Sequence, residues 1–210
     1  MKDDVIAILK NVGAVLTDDH FVYTSGKHGS VYINKDALYP HTAQTSKIGQ
    51  MFAERFKDSA IDVVAGPALG GIILSQWTAY HLSKIKQREV LGVYTEKTPE
   101  KNQIFTRGYD KLVKGKKALV IEDLTTTGGS VKKVVDSVRE AGGTVVAVCV
   151  MVNRDLKMVT SESIGAPFSS LGVLFADAVD ADACSLCKSG VPINTTVGHG
   201  KKFMAHDDTR

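Results

Sequence analysis

Apolar residues recur along the chain in two rhythms. Val5, Ile6 and Leu9 mark one face of a short N-terminal helix, and Ile48, Met51, Phe52 and Phe56 mark a second that begins near Thr45. Between them, HFVYTSGKHGSVYINK reads as two strand-like pieces around Ser25, Gly26, Lys27, His28 and Gly29, a hairpin with a mobile tip. Further on, short apolar runs at 61–65, 89–95, 118–121, 144–152 and 171–176 alternate with helical stretches. One helix spans 72–83. Another carries Val131, Val134, Val135 and Val138 at i, i+3, i+4 and i+7 and ends at Gly142 and Gly143. Polar residues dominate 96–115, which reads as one long loop, a lid over something.

The strand-like runs do not alternate cleanly with a period of two, as expected of a parallel sheet covered on both faces. The expected architecture is therefore α/β: an open parallel sheet with helices on both faces, plus a small N-terminal hood carrying the hairpin. Neither a repeat nor a linker divides the chain, so 1–210 reads as one domain, with a hood at 1–40, a core at 45–178 and an appendage at 179–210.

Composition narrows the class. Hydrophobic residues make up 43% and charged residues 23%, the balance of an ordinary globular protein. A formal charge of +3, evenly spread, gives no footprint for nucleic acid. The opening MKDDVIAILK carries two acids and no long apolar stretch, so it does not read as a signal peptide. The longest apolar run, 145–152, is far too short to span a bilayer. Three cysteines make no disulfide framework, which points to a reduced, cytoplasmic protein.

Chemistry concentrates in loops that follow strands, where open parallel sheets bind ligands. In ALVIEDLTTTGGS an apolar run meets Glu122 and Asp123, then Thr125, Thr126, Thr127, Gly128, Gly129 and Ser130, then a helix. A glycine and hydroxyl loop entering a helix offers backbone N–H groups to a phosphate at the positive end of the helix dipole. The two acids would repel that phosphate. They suit hydroxyl groups or a magnesium ion a few ångströms away, so the expected ligand is a phosphorylated polyol. Neither a Walker loop nor GxGxxG is present. A second loop, GPALGG, holds Ala68, Leu69, Gly70 and Gly71 and could take another anion, although alone it also reads as a tight turn.

The first of these loops resembles the phosphoribosyl pyrophosphate (PRPP) motif of the type I phosphoribosyltransferases. The resemblance implies that Glu122 and Asp123 meet the ribose hydroxyls, Asp123 also acting in catalysis, while Thr125 through Ser130 hold the 5′-phosphate. It assigns pyrophosphate to Ala68, Leu69, Gly70 and Gly71, and gives Lys97, Lys101 and Arg107 of the lid to the departing group. The segment TSGKHGSVYINKDAL is similar to the N-terminal signature of orotate phosphoribosyltransferases. That implies Lys27 beside the substrates, Tyr32 and Ile33 packed against the base with Thr126, and Arg154 of VNRD on the orotate carboxylate. A planar guanidinium suits a carboxylate, although an ordinary ion pair with Asp155 is the competing use of Arg154.

The resemblance further implies transfer of ribose 5-phosphate from PRPP to orotate, with Mg2+ held through PRPP near Glu122 and Asp123. It also implies a homodimer in which the lid lysine reaches its neighbour's site. Two departures stand out: the lid reads Glu96, Lys97, then Lys101, Asn102, Gln103, where the family has more cations and a histidine, and Gly70 stands where a lysine is frequent. Transfer to another base, or a PRPP-sensing regulator on the same fold, are the alternatives. In the appendage, Cys184 and Cys187 with His199 resemble a zinc knuckle with three of the four ligands needed, so the tail is expected to cover part of the fold or to be mobile.

Overall fold

The computed structural model describes residues 4–175 and 177–207. The hood comprises α1 (Val5–Asn11), β1 (Val15–Leu16), β2 (Phe21–Val22), β3 (His28–Gly29) and β4 (Tyr32–Ile33). The core follows as α2 (Thr42–Arg55), β5 (Val63–Pro67), α3 (Gly70–Lys86), β6 (Leu91–Lys97), β7 (Gln103–Phe105), α4 (Tyr109–Val113), β8 (Lys117–Thr125), α5 (Gly129–Glu140), β9 (Thr144–Asn153), α6 (Ser161–Ile164) and β10 (Phe168–Val173). Two short helices, α7 (Ser185–Lys188) and α8 (Gly200–Asp207), complete the described chain. Among the described residues no helix is long and apolar enough to cross a membrane.

The core sheet has the order β10-β9-β8-β5-β6-β7. All neighbours are parallel except β6 and β7. Pleat alternation divides its side chains between two cores. Val64, Leu119, Ile121, Cys149 and Met151 face α1, α2 and α3, whereas Val63, Ala65, Val120 and Val148 face the valine stripe of α5. Both faces are covered, which is why the strands read as continuous apolar runs. In the hood, β1 pairs with β4 and β2 with β3, both antiparallel.

Three expectations need correction. Residues 96–115 are not a loop: β6 runs on to Lys97, the chain turns at 98–102, and β7 returns before α4. The strand signal was hidden because its inward residues are polar, Thr95 donating to the Gln103 side chain at 2.8 Å in a buried pair. Next, β8 extends through Glu122 and Asp123 to Thr125 rather than stopping at 121. Finally, the last strand lies at Phe168–Val173, earlier than 171–176, and Ala176 falls outside the described residues.

Helices α2 and α3 pack through Gly49. A Cβ there would lie 2.5 Å from the Trp77 Cβ and 2.9 Å from its carbonyl carbon, neither of which is a flexible chain end. Helix propensity alone makes Gly→Ala favourable by about 1 kcal/mol. The clash reverses the sign: Gly49→Ala should destabilise the fold by about 1–3 kcal/mol in urea denaturation. A stabilised variant would show that the two helices do not approach so closely.

Candidate active site

Strand order reverses between β5 and β8, one running on to β6 and the other to β9. A crevice at such a switch point opens beyond the carboxyl ends of the strands. GPALGG follows β5 there and TTTGGS follows β8, so the fold brings the two glycine loops together.

Thr125 fixes the β8 loop, its hydroxyl accepting from the Gly128 N–H at 3.0 Å. Gly128 takes φ 77°, and a Cβ on it would lie 2.7 Å from Ile164 Cδ1. The positive φ demands glycine. Beyond it α5 begins with no cap from Gly128, the Gly129 N–H reaching only the Thr127 hydroxyl at 3.4 Å, and Thr126, Thr127, Gly129 and Ser130 are exposed at the positive end of the helix, a place suited to an anion.

The two acids leave β8 on opposite faces, Asp123 in line with Leu119 and Ile121, Glu122 in line with Val120. Asp123 is 2% exposed and fully engaged. Its Oδ2 accepts from Lys35 Nζ at 2.8 Å and from the Tyr39 hydroxyl at 2.7 Å, and its Oδ1 from the Leu124 N–H at 2.6 Å. Burial and the Asp123 charge push the Tyr39 phenol far above its usual range, so it remains a donor. Burial alone would lower the Lys35 pKa, but Asp123, Glu122 and Asp36 together carry it above its ordinary value. Glu122 has no such support. Its Oε2 is buried without a partner, and burial, then the neighbouring Asp123 charge, raise its pKa well above the usual carboxylate range. Lys35 and Tyr39 were not singled out from sequence. Lys35 lies two residues past Ile33 in the hood signature, and the only earlier signal was a cation beside a strand that ends in acids.

The β5 loop doubles back tightly. The Ala68–Leu69 peptide is cis, Ala68 donates its N–H to Thr95, and Leu69 is 79% exposed. Gly70 backs directly onto the acid cluster: a Cβ would fall 2.0 Å from both Asp123 Oδ2 and the Tyr39 hydroxyl.

Beside the β8 loop lies a cavity of about 620 Å³ bordered by Thr126, Thr127, Arg154, Tyr23, Thr24 and Ser25. Arg154 follows β9, and its N–H donates to the Thr125 carbonyl at 2.9 Å, which locks it to the phosphate-type loop. Its guanidinium lies over the Tyr23 ring, 4.8 Å from the centroid, with Nε buried and unpartnered. The competing ion pair with Asp155 is absent among the described residues, since that carboxylate accepts from the N–H groups of Lys157 and Met158. A larger cavity, about 770 Å³, lies at α2 around Lys47, Gln50 and Arg55, away from both loops.

The structure does not bring every expected residue to this cavity. Lys27 pairs with Asp180 at 3.5 Å. Tyr32 packs on Phe21, and Ile33, on the opposite face of β4, is buried in the core shared with α1 and α2; Tyr23, Thr24, Ser25 and Phe175 line the cavity instead. Lys97 and Lys101 stand exposed on the β6–β7 hairpin, and Arg107 is held by Glu96 at 2.9 Å. His199 does not join Cys184 and Cys187: its ring meets the Thr24 hydroxyl at 3.1 Å, and the tail lies across the hood hairpin.

The phosphoribosyl transferase domain family matches residues 34–163. The chain is 38% identical to the orotate phosphoribosyltransferase of Caldicellulosiruptor saccharolyticus over 194 residues, covering 91% of this chain and 94% of that one. It is 34% identical to the Thermotoga maritima orotate phosphoribosyltransferase over 196 residues, covering 93% and 98%. The crystal structure of orotate phosphoribosyltransferase from Aeropyrum pernix aligns with a TM-score of 0.64 at 26% identity, covering 81% of this chain and 93% of that one. With two glycine loops meeting at the switch point and a likeness that spans nine-tenths of its length, the chain belongs to the orotate phosphoribosyltransferase family.

Proposed function

We propose that the chain, acting as one domain, transfers the 5-phosphoribosyl group of PRPP to orotate, giving orotidine 5′-monophosphate and pyrophosphate. The observation that carries this reading is Arg154, a guanidinium with an unpartnered buried Nε at the wall of the cavity beside the phosphate-type loop. A small planar anion matches it in charge and shape.

In the reaction a ring nitrogen of orotate bonds to the anomeric carbon and gives up its proton, while the bond to pyrophosphate breaks and its electron pair leaves with that group, which can take up the proton. Positive charge gathers on the sugar, so the protein's task is to position and to stabilise charge. Thr126, Thr127, Gly128, Gly129 and Ser130 take the 5′-phosphate at the start of α5. Ala68, Leu69, Gly70 and Gly71 take pyrophosphate, and Lys97 and Lys101 close over it. Asp123, held by Lys35 and Tyr39, stands by the ribose. Magnesium fits through the substrate: Asp123 is already engaged, and Glu122, with its unpartnered Oε2, is the carboxylate left for the ion's oxygen shell. An ion bound there would supply positive charge that stabilises the leaving group. The exposed Leu69 and Tyr80 support a homodimer, and three free cysteines a reducing cytoplasm.

Three outcomes test this reading. With PRPP and magnesium, pyrophosphate should be released with orotate and not with uracil, adenine or hypoxanthine. Arg154→Ala should raise KM for orotate about 10- to 100-fold, the cost of about 1.5–3 kcal/mol for hydrogen bonds to a charged group, while KM for PRPP stays nearly constant. An unchanged KM for orotate would move the carboxylate site elsewhere.

Glu122 gives the third outcome. Its folded pKa is raised, so between its unfolded value of 4.5 and that raised value the folded state binds more protons than the unfolded one. Stability therefore falls as pH rises through this window, by up to about 1.4 kcal/mol per pH unit. Glu122→Gln should match the parent protein in thermal stability near pH 4, exceed it increasingly toward pH 8, and lose transferase activity. Parallel stability curves would show that Glu122 is not held at such a cost.

A further inference from the structure

We propose that the hood and the tail are joined by a structural transition-metal site, a closed zinc site made of His20, His28, Cys184 and Cys187. It is separate from the transferase site and does not rest on the substrate assignment. The ligand atoms of these four residues all lie within 4.8 Å of one another. His20 Nε2 lies 3.7 Å from Cys184 Sγ and 3.6 Å from Cys187 Sγ, and His28 Nδ1 lies 3.3 Å from Cys187 Sγ. With zinc–nitrogen bonds of 2.0–2.1 Å and zinc–sulfur bonds of 2.3 Å, a tetrahedron has N–S edges of about 3.6 Å and an N–N edge of about 3.3 Å. The two N–S distances from His20 match, and the one from His28 to Cys187 is about 0.3 Å short. The two ring nitrogens stand 2.8 Å apart, so a bound ion would part the rings by about half an ångström.

Hydrogen bonding argues for a cation more strongly than distance does. His20 Nδ1 donates to the Val191 carbonyl at 2.8 Å, which leaves Nε2 as a bare lone pair in the neutral ring. His28 Nδ1 and both sulfurs then crowd that one lone pair, which can accept a single hydrogen. An ion accepts from all four groups at once. The Val191 carbonyl is also the kind of outer partner that orients a ligating histidine. Two thiolates, two neutral imidazoles and a divalent ion sum to zero charge, a balance that suits a place where His20, His28 and Cys184 are each at most 1% exposed. Four nitrogen and sulfur ligands with no open position describe a structural site, and the mixed set favours zinc.

The site also has a mechanical reason to exist. His20 directly precedes β2 and His28 opens β3 of the β2–β3 hairpin, whose strands have two residues each, and a hairpin of that size is marginal alone. The tail reaches it through single bridges at His20–Ile193 and His28–Val179. A metal would fasten the hairpin to α7 and so hold Thr24 and Ser25, at its tip, against the cavity.

The test is metal content of the full-length chain, loaded with zinc under reducing conditions and desalted. About one zinc per chain is expected, and cobalt in its place should give the visible bands of a tetrahedral thiolate-ligated ion. Cys187→Ala should lose nearly all of the metal, and His199→Ala should keep it. His20→Cys should keep about one ion and shift the cobalt bands toward a three-sulfur set, which guards against a variant that merely unfolds. A folded, reduced parent chain that retains no zinc and gives no tetrahedral cobalt bands would overturn the site. So would retention of metal by Cys187→Ala.

Discussion

One buried carboxylate anchors the arrangement of this molecule. Asp123 sits inside a strand, at the end of an otherwise apolar run, and takes hydrogen bonds from Lys35 and Tyr39, which come from the segment joining the hood to α2. Removing either partner leaves a buried carboxylate short of a hydrogen bond, a loss of about 1.5–3 kcal/mol for bonds to a charged group. The position of β8, the seating of the hood and the packing of the α3 N-terminus are thus linked through one side chain. The same link leaves room only for glycine at position 70, because Asp123 and Tyr39 occupy the space that any Cβ would enter.

The other departure from the family pattern also has a local account. Glu96 introduces a negative charge on the β6–β7 hairpin, and Arg107 meets it through both Nε and a terminal nitrogen. The pair is largely exposed, so it contributes little to stability. Its effect is on charge: acid and arginine cancel, leaving Lys97 and Lys101 as the hairpin's cations toward a ligand. The hairpin is also fastened to α5, where Lys133 donates to the Lys101 carbonyl and Ser137 to that of Gln103. A lid built this way would move as a paired element rather than as a free loop.

What the sequence revealed and what it hid follow from the range of the interactions. Val131, Val134, Val135 and Val138 declare α5 because helical spacing is local, and the loop before it is legible because Gly128 must adopt positive φ. The β6–β7 hairpin was hidden because its inward side chains satisfy one another with hydrogen bonds instead of apolar contact. Tyr32 and Ile33 were assigned to the cavity, but facing in a two-residue strand depends on register with β1, which composition does not encode. Most distant of all, His20 lies 164 residues from Cys184, and no spacing rule connects them. Cys184 and Cys187 could be suspected from their own spacing, whereas their partners became visible only when the tail was folded back across the hood.

The hood itself contains little that could hold it in place. Its strands are two residues long and pair with one another, apart from a bridge between His28 and Val179 of the tail, so its order must come from contacts with other parts of the chain. Two such attachments stand at its two ends. Lys35 and Tyr39 bind it to β8 through Asp123, and the histidine and cysteine cluster binds it to the tail. Tyr23 lies between them, under the Arg154 guanidinium and donating its hydroxyl to the Val31 carbonyl at 2.6 Å. An arginine can select a small planar anion only if the surface behind it stays fixed. In this chain that surface is a ring on a hairpin too short to be rigid alone, so the precision of the cavity depends on side chains far from it in sequence.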